Sequence, residues 1–377
     1  MICLRCPLVV KSYLPRGITR ATLRRHRTTN ASLSLLVHPK RHTSLATLLE
    51  SQYQKDLLPP SRQLSTTALT SSSRLFSTSL LLDGLNPSQV QAVTQPLNAV
   101  TRVIAGPGSG KTRVLTCRVA FLLNHDRRSQ VLAVTFTRKA ANEMRERVEV
   151  LLKQQQAHQN DGIFDSEDDA ADNYPEDLRR VTMGTFHSIC AKILRVNGSL
   201  LASLPSVEKD MMGRVGDGAV NLDGNFAIMD SSDQLRLLKE CIVENELDLE
   251  KTSVKPMQIL EAIGKIKEAR SLGKDLFAQS DENGRQKNKL IPAPLKLGRE
   301  LYSLYREKTW SNNALDFDDL IILTREMLME YPELREKLHR RWPHILVDEF
   351  QDTSILQLDL VKLLTSSSLF AVGDADQ

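Results

Sequence analysis

The eight residues Ala105-Gly106-Pro107-Gly108-Ser109-Gly110-Lys111-Thr112 constrain the fold more than any other stretch of the chain. They follow the apolar run Ala99-Val100-Thr101-Arg102-Val103-Ile104 and precede a helical pattern, so the segment reads as strand, glycine loop, helix. Backbone N–H groups can turn inward on a phosphate only where no side chain intervenes, and Gly106, Gly108 and Gly110 leave that room. The helix that starts near Lys111 adds its positive end. In this geometry Lys111 reaches the β- and γ-phosphates of a nucleotide as a point charge, and the Thr112 hydroxyl ligates a Mg²⁺ that bridges them. Ala105 stands at the first position of the loop, where glycine is more usual.

A phosphate loop needs acidic partners, and Val347-Asp348-Glu349-Phe350-Gln351-Asp352 offers two carboxylates at the end of an apolar strand. Beside the loop, Asp348 would hold Mg²⁺ through its water shell. Glu349, one residue on, would polarise the water that attacks the γ-phosphate.

Between these two elements the chain alternates. Val131–Thr135 reads as a second buried strand, and Ala140, Ala141, Met144, Val148 and Leu151 then recur at helical spacing. Residues 154–178 hold eight acidic residues and no basic one, which reads as a solvated, disordered insertion. A third strand follows at 181–186. From about Leu200 to Trp310 the alternation stops and helical stretches such as Ser232–Glu246 and Pro256–Ala269 take over, with Pro205–Asn225 reading as a loop. Strand patterns resume at Ile345–Glu349 and Leu369–Val372. The expected fold is α/β: a P-loop parallel sheet with a mostly α-helical subdomain inserted. Its segments are 83–199, the helical insert 200–313, and 314–377, where the sheet domain continues.

The formal charge of +4 hides an asymmetry. Residues 1–82 carry twelve Lys and Arg against Glu50 and Asp56, a balance of +10, so the remainder is at −6. An Arg-rich, Ser/Thr-rich, acid-poor start has the composition of a mitochondrial transit peptide, and Ser73-Arg74-Leu75-Phe76-Ser77 is similar to a matrix-peptidase site. We expect the mitochondrial matrix, with the nucleus as the alternative. Cys3, Cys6, Cys117, Cys190 and Cys241 give neither a disulfide framework nor a paired zinc motif. No apolar run has the length of a membrane span, so no membrane insertion is expected.

Several segments carry a family resemblance. Leu85-Asn86-Pro87-Ser88-Gln89-Val90-Gln91-Ala92-Val93 resembles the Q motif of the UvrD/PcrA/Rep group of superfamily 1 DNA helicases, and Ala105–Thr112 its Walker A motif. Thr135–Met144 is similar to motif Ia, Gly184-Thr185-Phe186-His187-Ser188 to motif Ib, and Ala314–Leu320 to the segment before motif II. Val347–Thr353 resembles motif II, and Val372-Gly373-Asp374-Ala375-Asp376-Gln377 the start of motif III. The segments occur in family order and span 83–377.

The resemblance implies a RecA-like motor domain that uses ATP and Mg²⁺. It implies that Gln89 reads the adenine edge, that Arg113 lies against the base, and that Gln377 senses the γ-phosphate. The same resemblance lays Phe136, Thr137, Thr185, Phe186 and His187 along single-stranded DNA, with rings offering stacking faces and hydroxyls bonding phosphates. The implied activity is an ATP-dependent 3′-to-5′ single-strand translocase and DNA helicase acting at single-/double-strand junctions in repair, recombination or replication. The rest of motif III, the second motor domain and its arginine finger have no counterpart in these residues, so the chain is read as the N-terminal part of a helicase, inactive alone. The alternatives are the motor half of a helicase–nuclease and a non-catalytic module that binds ATP and single-stranded DNA.

Overall fold

A computed structural model describes residues 9–13, 81–128, 130–159, 176–211, 222–249, 252–277 and 291–374. Gln377, most of the expected leader and 160–175 of the acidic insertion lie outside the described residues. The strands, in chain order, are Val9–Tyr13 (β1), Val100–Ile104 (β2), Val131–Thr135 (β3), Val181–Thr185 (β4), Ala227–Ile228 (β5), Ala314–Leu315 (β6), His344–Val347 (β7) and Ser368–Gly373 (β8). Among the described residues the helices are Pro87–Val93 (α1), Lys111–His125 (α2), Arg138–Gln159 (α3), Phe186–Val196 (α4), Pro205–Met211 (α5) and Ser231–Glu244 (α6). They continue with Pro256–Ser271 (α7), Ala293–Ser311 (α8), Phe317–Glu330 (α9), Pro332–Arg341 (α10) and Ile355–Leu364 (α11).

The main sheet has the order β1-β2-β8-β7-β3-β4, and from β2 to β4 every neighbouring pair is parallel. All residues of β3, β7 and β8 are buried, as continuous apolar runs such as Val131-Leu132-Ala133-Val134 require of strands covered on both faces. On one face Val103, Leu346 and Val372 meet Val119 and Leu122 of α2 and Met144 and Val148 of α3 in a single apolar cluster. Elsewhere α9 packs on α4 and α11. Each fully buried aliphatic side chain in such a core contributes ~1.5–3 kcal/mol.

The parallel register aligns the strand ends. Val103 pairs with Val372, Val347 with Ala371, Val134 with Val347, and Val134 with Gly184. The carboxyl ends of β2, β8, β7, β3 and β4 therefore share one edge, where open α/β sheets bind ligands. That edge carries, in order, the glycine loop, Asp374, Asp348 with Glu349, Phe136 with Thr137, and Thr185 to His187.

The helical insert has its own core, with Leu238, Cys241, Ile259, Ile263, Leu301 and Tyr305 among its members. A two-residue parallel pair, β5 with β6, closes it: Ala227 lies opposite Ala314 and Ile228 opposite Leu315. Where α7 and α8 meet the start of α9, an ion network is buried. Lys267 Nζ lies 2.5 Å from Asp316 Oδ2 and 2.9 Å from Asp319 Oδ2, and Arg306 donates to Asp319 Oδ1 at 2.9 Å. Burial alone would lower the Lys267 ammonium, but the two carboxylates outweigh it and hold it above its ordinary value. Asp316 also caps α9 by accepting from the Asp319 N–H.

Three expectations meet differences. Residues 154–159, assigned to the acidic insertion, continue α3, and Gln155 is buried with its Oε1 accepting from Asn124 Nδ2 at 3.2 Å. Pro205–Met211, read as loop, forms α5, because Leu204 and Val207 are buried and the N–H and hydroxyl of Ser206 both donate to Glu326. Val9–Tyr13, inside the expected leader, pairs antiparallel with β2, with Val10 opposite Val103. Among the described residues no helix is long and apolar enough to cross a membrane.

Candidate nucleotide and nucleic-acid site

The glycine loop is built as its residues require. Gly110 takes φ +87°, which strains any other residue, and a Cβ there would lie 2.7 Å from Gln89 Nε2 and displace that amide. The Ser109 N–H and hydroxyl both fold back on the Gly106 carbonyl, at 3.3 and 2.7 Å. No side chain caps α2, so its first N–H groups remain directed at whatever the loop encloses. Lys111 and Thr112 open that helix, half-buried. Pro107 and Gly108 form the exposed tip, while Ala105 is buried and donates its N–H to the Gly373 carbonyl at 3.0 Å.

Lys111 meets its acids across the strand ends. Its Nζ lies 3.9 Å from Glu349 Oε2 and 3.6 Å from Asp374 Oδ2. Asp348 is buried, donates its N–H to the Val134 carbonyl, and accepts the Glu349 N–H on Oδ1 at 3.0 Å. Burial, and then the charge of Glu349, raise the Asp348 carboxyl above its ordinary value, outweighing the Glu349 amide and Lys111. Glu349 adopts the left-handed conformation, φ 45° and ψ 48°, which for a non-glycine residue costs on the order of 1–3 kcal/mol. The turn swings its carboxylate off the line of β7 and towards Lys111.

These groups fit Mg²⁺ with a nucleotide. A buried carboxylate with a raised proton affinity gains from a divalent cation, and Thr112 offers a hydroxyl at the start of the facing helix. Among the described residues no set of three or more His, Cys, Asp or Glu side chains forms a metal cage. Mg²⁺ in phosphate sites takes one or two carboxylates and otherwise substrate oxygens and water.

The adenine side is arranged differently from the simplest expectation. Gln89 is buried, and both ends of its amide are engaged: Oε1 accepts the Asn86 N–H at 2.9 Å, and Nε2 donates to the Ser109 carbonyl at 2.9 Å. It thus joins the capped start of α1 to the glycine loop. Arg113 is exposed, one residue beyond Thr112, and donates from Nη2 to the Asp83 carbonyl at 2.9 Å.

Further along the edge lie the aromatic and hydroxyl residues. Phe136 is partly exposed and Thr137 exposed, and the Thr137 hydroxyl accepts the Ala140 N–H at the start of α3. Phe186 is 4% exposed and sits edge-on to Phe136, with centroids 5.7 Å apart and an interplanar angle of 67°. It therefore offers no open face for a base; it packs against the partly exposed ring of Phe136. Thr185 caps α4 by accepting the Ser188 N–H. His187 stands edge-on to Phe317 at 5.3 Å, and burial lowers its imidazole below the ordinary 6.5.

Three residues in the quoted segments had no role assigned to them from the sequence. Asp374 ends the buried strand β8 as Asp348 ends β7, a pattern visible in the sequence as an acid following an apolar run. Phe317 is 39% exposed against His187. Gln351 bonds both Glu349 and the backbone of Asp374; it lies inside the Val347–Thr353 segment, which gives it no role.

Comparison with known proteins matches residues 85–377 to the UvrD/REP helicase N-terminal domain. The chain is 33% identical over 304 residues to a probable DNA helicase II homolog of Mycoplasma capricolum, covering 79% of this chain and 35% of the relative. It is 35% identical over 301 residues to the ATP-dependent DNA helicase PcrA of Bacillus subtilis, covering 79% and 33%. With the ATP-dependent DNA helicase UvrD1 of Mycobacterium bovis the identity is 34% over 308 residues, covering 79% and 34%. The chain thus spans about a third of the length of these curated relatives. A parallel sheet with a glycine loop at one strand end, two acids at the next strands and a match over 85–377 place this chain in the UvrD/Rep helicase family, in its N-terminal domain.

Proposed function

We propose that this chain carries the ATP-binding and hydrolysing motor domain of a 3′-to-5′ single-strand DNA translocase and DNA helicase that works at single-/double-strand junctions. The observation that carries the reading is the shared edge of the sheet. Phosphate loop, paired acids and a partly exposed ring with hydroxyl neighbours stand there in one row, so nucleotide and single strand can bias the same strand ends. Lys111 would neutralise the β- and γ-phosphates, Thr112 and Asp348 would hold Mg²⁺, and Glu349 would take the proton of the attacking water. Mg²⁺ supplies charge neutralisation on the phosphate oxygens. Gln377 would sense the γ-phosphate, and a second motor domain would supply an arginine worth several orders of magnitude in rate. Phe136, held by Phe186, would stack on a base, and Thr137, Thr185 and His187 would flank the backbone. The role of the protein would lie in repair, recombination or replication.

The test is strand displacement by the full-length protein on duplexes with a 3′ or a 5′ single-stranded tail. Faster displacement from the 3′ tail, dependent on ATP, is expected; equal rates from both tails would overturn the polarity. For location, we propose import into the mitochondrial matrix, supported by the +10 balance of residues 1–82. Cleavage near Phe76 would also remove β1 and leave β2 held by β8 alone. A reporter carrying residues 1–76 should enter mitochondria and be shortened; a nuclear signal would reject the targeting.

A further inference from the structure

Lys111, Glu349, Gln351 and Asp374 close a ring at the ends of β2, β7 and β8. Lys111 Nζ approaches the carboxylates of Glu349 and Asp374 at 3.9 and 3.6 Å. Gln351 completes the circuit from the other side: its Nε2 donates to Glu349 Oε2 at 2.8 Å, and its Oε1 accepts the Asp374 N–H at 2.9 Å. One primary amide serves two partners of opposite need, a carboxylate that only accepts and a backbone N–H that only donates. The backbone is shaped around it, because a Cβ on Gly373 would lie 2.8 Å from Gln351 Oε1 and 3.3 Å from Gln351 N.

We infer that Gln351 is a positioning residue for ATP hydrolysis: it clamps the Glu349 carboxylate to the end of β8. The inference rests on the reading of Glu349 as the group that polarises water. Glu349 needs such a clamp, since its left-handed backbone projects it from a three-residue turn and its part-exposed side chain meets Lys111 at no closer than 3.9 Å. A carboxylate left to choose among rotamers loses the alignment on which proton transfer depends. The clamp also joins two strand ends: displacement of the Asp374 amide, where the chain leaves β8, withdraws the acceptor's partner and frees Glu349.

The test is steady-state ATP hydrolysis by the full-length protein with single-stranded DNA, together with Mg-ATP affinity measured by a fluorescent analogue. Gln351→Ala should lower kcat about 10- to 100-fold and leave KM and analogue affinity within about threefold. Gln351→Glu keeps the length but removes the donor and sets a second carboxylate against Glu349, so it should fall below Gln351→Ala. Gly373→Ala should cost kcat about tenfold in the parent and less than about threefold in the Gln351→Ala background, since the atom that it approaches most closely, Oε1, is then gone and the backbone contact at 3.3 Å remains. A merely structural role would move affinity and thermal midpoint with kcat, and would rank Gln351→Glu above Gln351→Ala; either result overturns the inference, as does additivity of the two substitutions. A parent that binds Mg-ATP without hydrolysing it would overturn the reading of Glu349 itself, and a parent that binds none would reject the phosphate site.

Discussion

Lys111 Nζ lies 3.6 Å from Asp374 Oδ2, so the first residue of α2 is tied to the residue that ends β8. The two are 263 positions apart in the chain, and only the parallel pairing of β2 with β8 brings them together. With Glu349 at 3.9 Å, the lysine stands between two carboxylates before any phosphate is considered. An incoming triphosphate competes with them for the same ammonium, which links nucleotide binding to both strand ends.

Glu349→Gln should separate binding from hydrolysis. The amide keeps the size of the side chain and gives up the base, so ATP should bind within about threefold of the parent while turnover falls about 10²- to 10⁴-fold. Rapid-quench measurement of one turnover checks this; a loss confined to affinity would contradict it.

Asp348 makes a pH prediction. Its carboxyl is raised in the folded protein, so the native state binds the proton more tightly than the unfolded chain does. Stability is therefore lost as pH rises from the ordinary 3.8 through the folded value, and the full cost stands above that value. Asp348→Asn keeps an oxygen for the Glu349 N–H and removes the charge. Without nucleotide or metal it should melt higher than the parent at neutral pH, by about 2–4 °C for each kcal/mol recovered, and the gain should vanish below the ordinary value. The same variant should lose hydrolysis. A lower midpoint at pH 7 would contradict the account.

His187 is held below its ordinary 6.5 by burial, so it is uncharged at neutral pH and adds no ionic attraction to DNA. His187→Gln should weaken single-strand binding without changing its salt dependence, whereas Phe136→Ala should remove a stacking contact worth about 1–3 kcal/mol. Titrations at several salt concentrations decide it. A slope reduced by about one on replacing His187 would show a charged phosphate contact instead.

Lys267 sits fully buried between Asp316 and Asp319. Lys267→Met leaves Asp316 without its ammonium partner, while Asp319 keeps Arg306, and should destabilise the protein by about 3–5 kcal/mol. Adding Asp316→Asn, which leaves the Arg306–Asp319 pair intact, should recover much of that loss. A thermal midpoint unchanged by Lys267→Met alone would mean that the network carries no stability.

The phosphate side was legible because its parts are contiguous runs. A glycine loop follows one apolar strand and an acid pair follows another, and strand, loop and helix fall in the expected order at Val100–His125. The fold class followed from the same alternation. Contacts that span the chain left no such trace. Nothing near Gln89 tells that its amide holds the Ser109 carbonyl, and Phe186, an aromatic after a strand, reads the same whether it faces solvent or, as here, packs beneath Phe136. The acids of Asp316-Phe317-Asp318-Asp319 look solvated until Lys267, 49 residues away, is brought against them. Val9–Tyr13 was hidden by the basic composition around it.

The central claim is that the sheet edge couples Lys111 chemistry to single-stranded DNA. It is tested most directly by ATP hydrolysis of the full-length protein with and without single-stranded DNA, in the parent and in Lys111→Ala. The account predicts hydrolysis stimulated by DNA in the parent and lost in Lys111→Ala, while that variant still folds and still binds DNA. Equal turnover in parent and variant, or turnover indifferent to DNA, would contradict it.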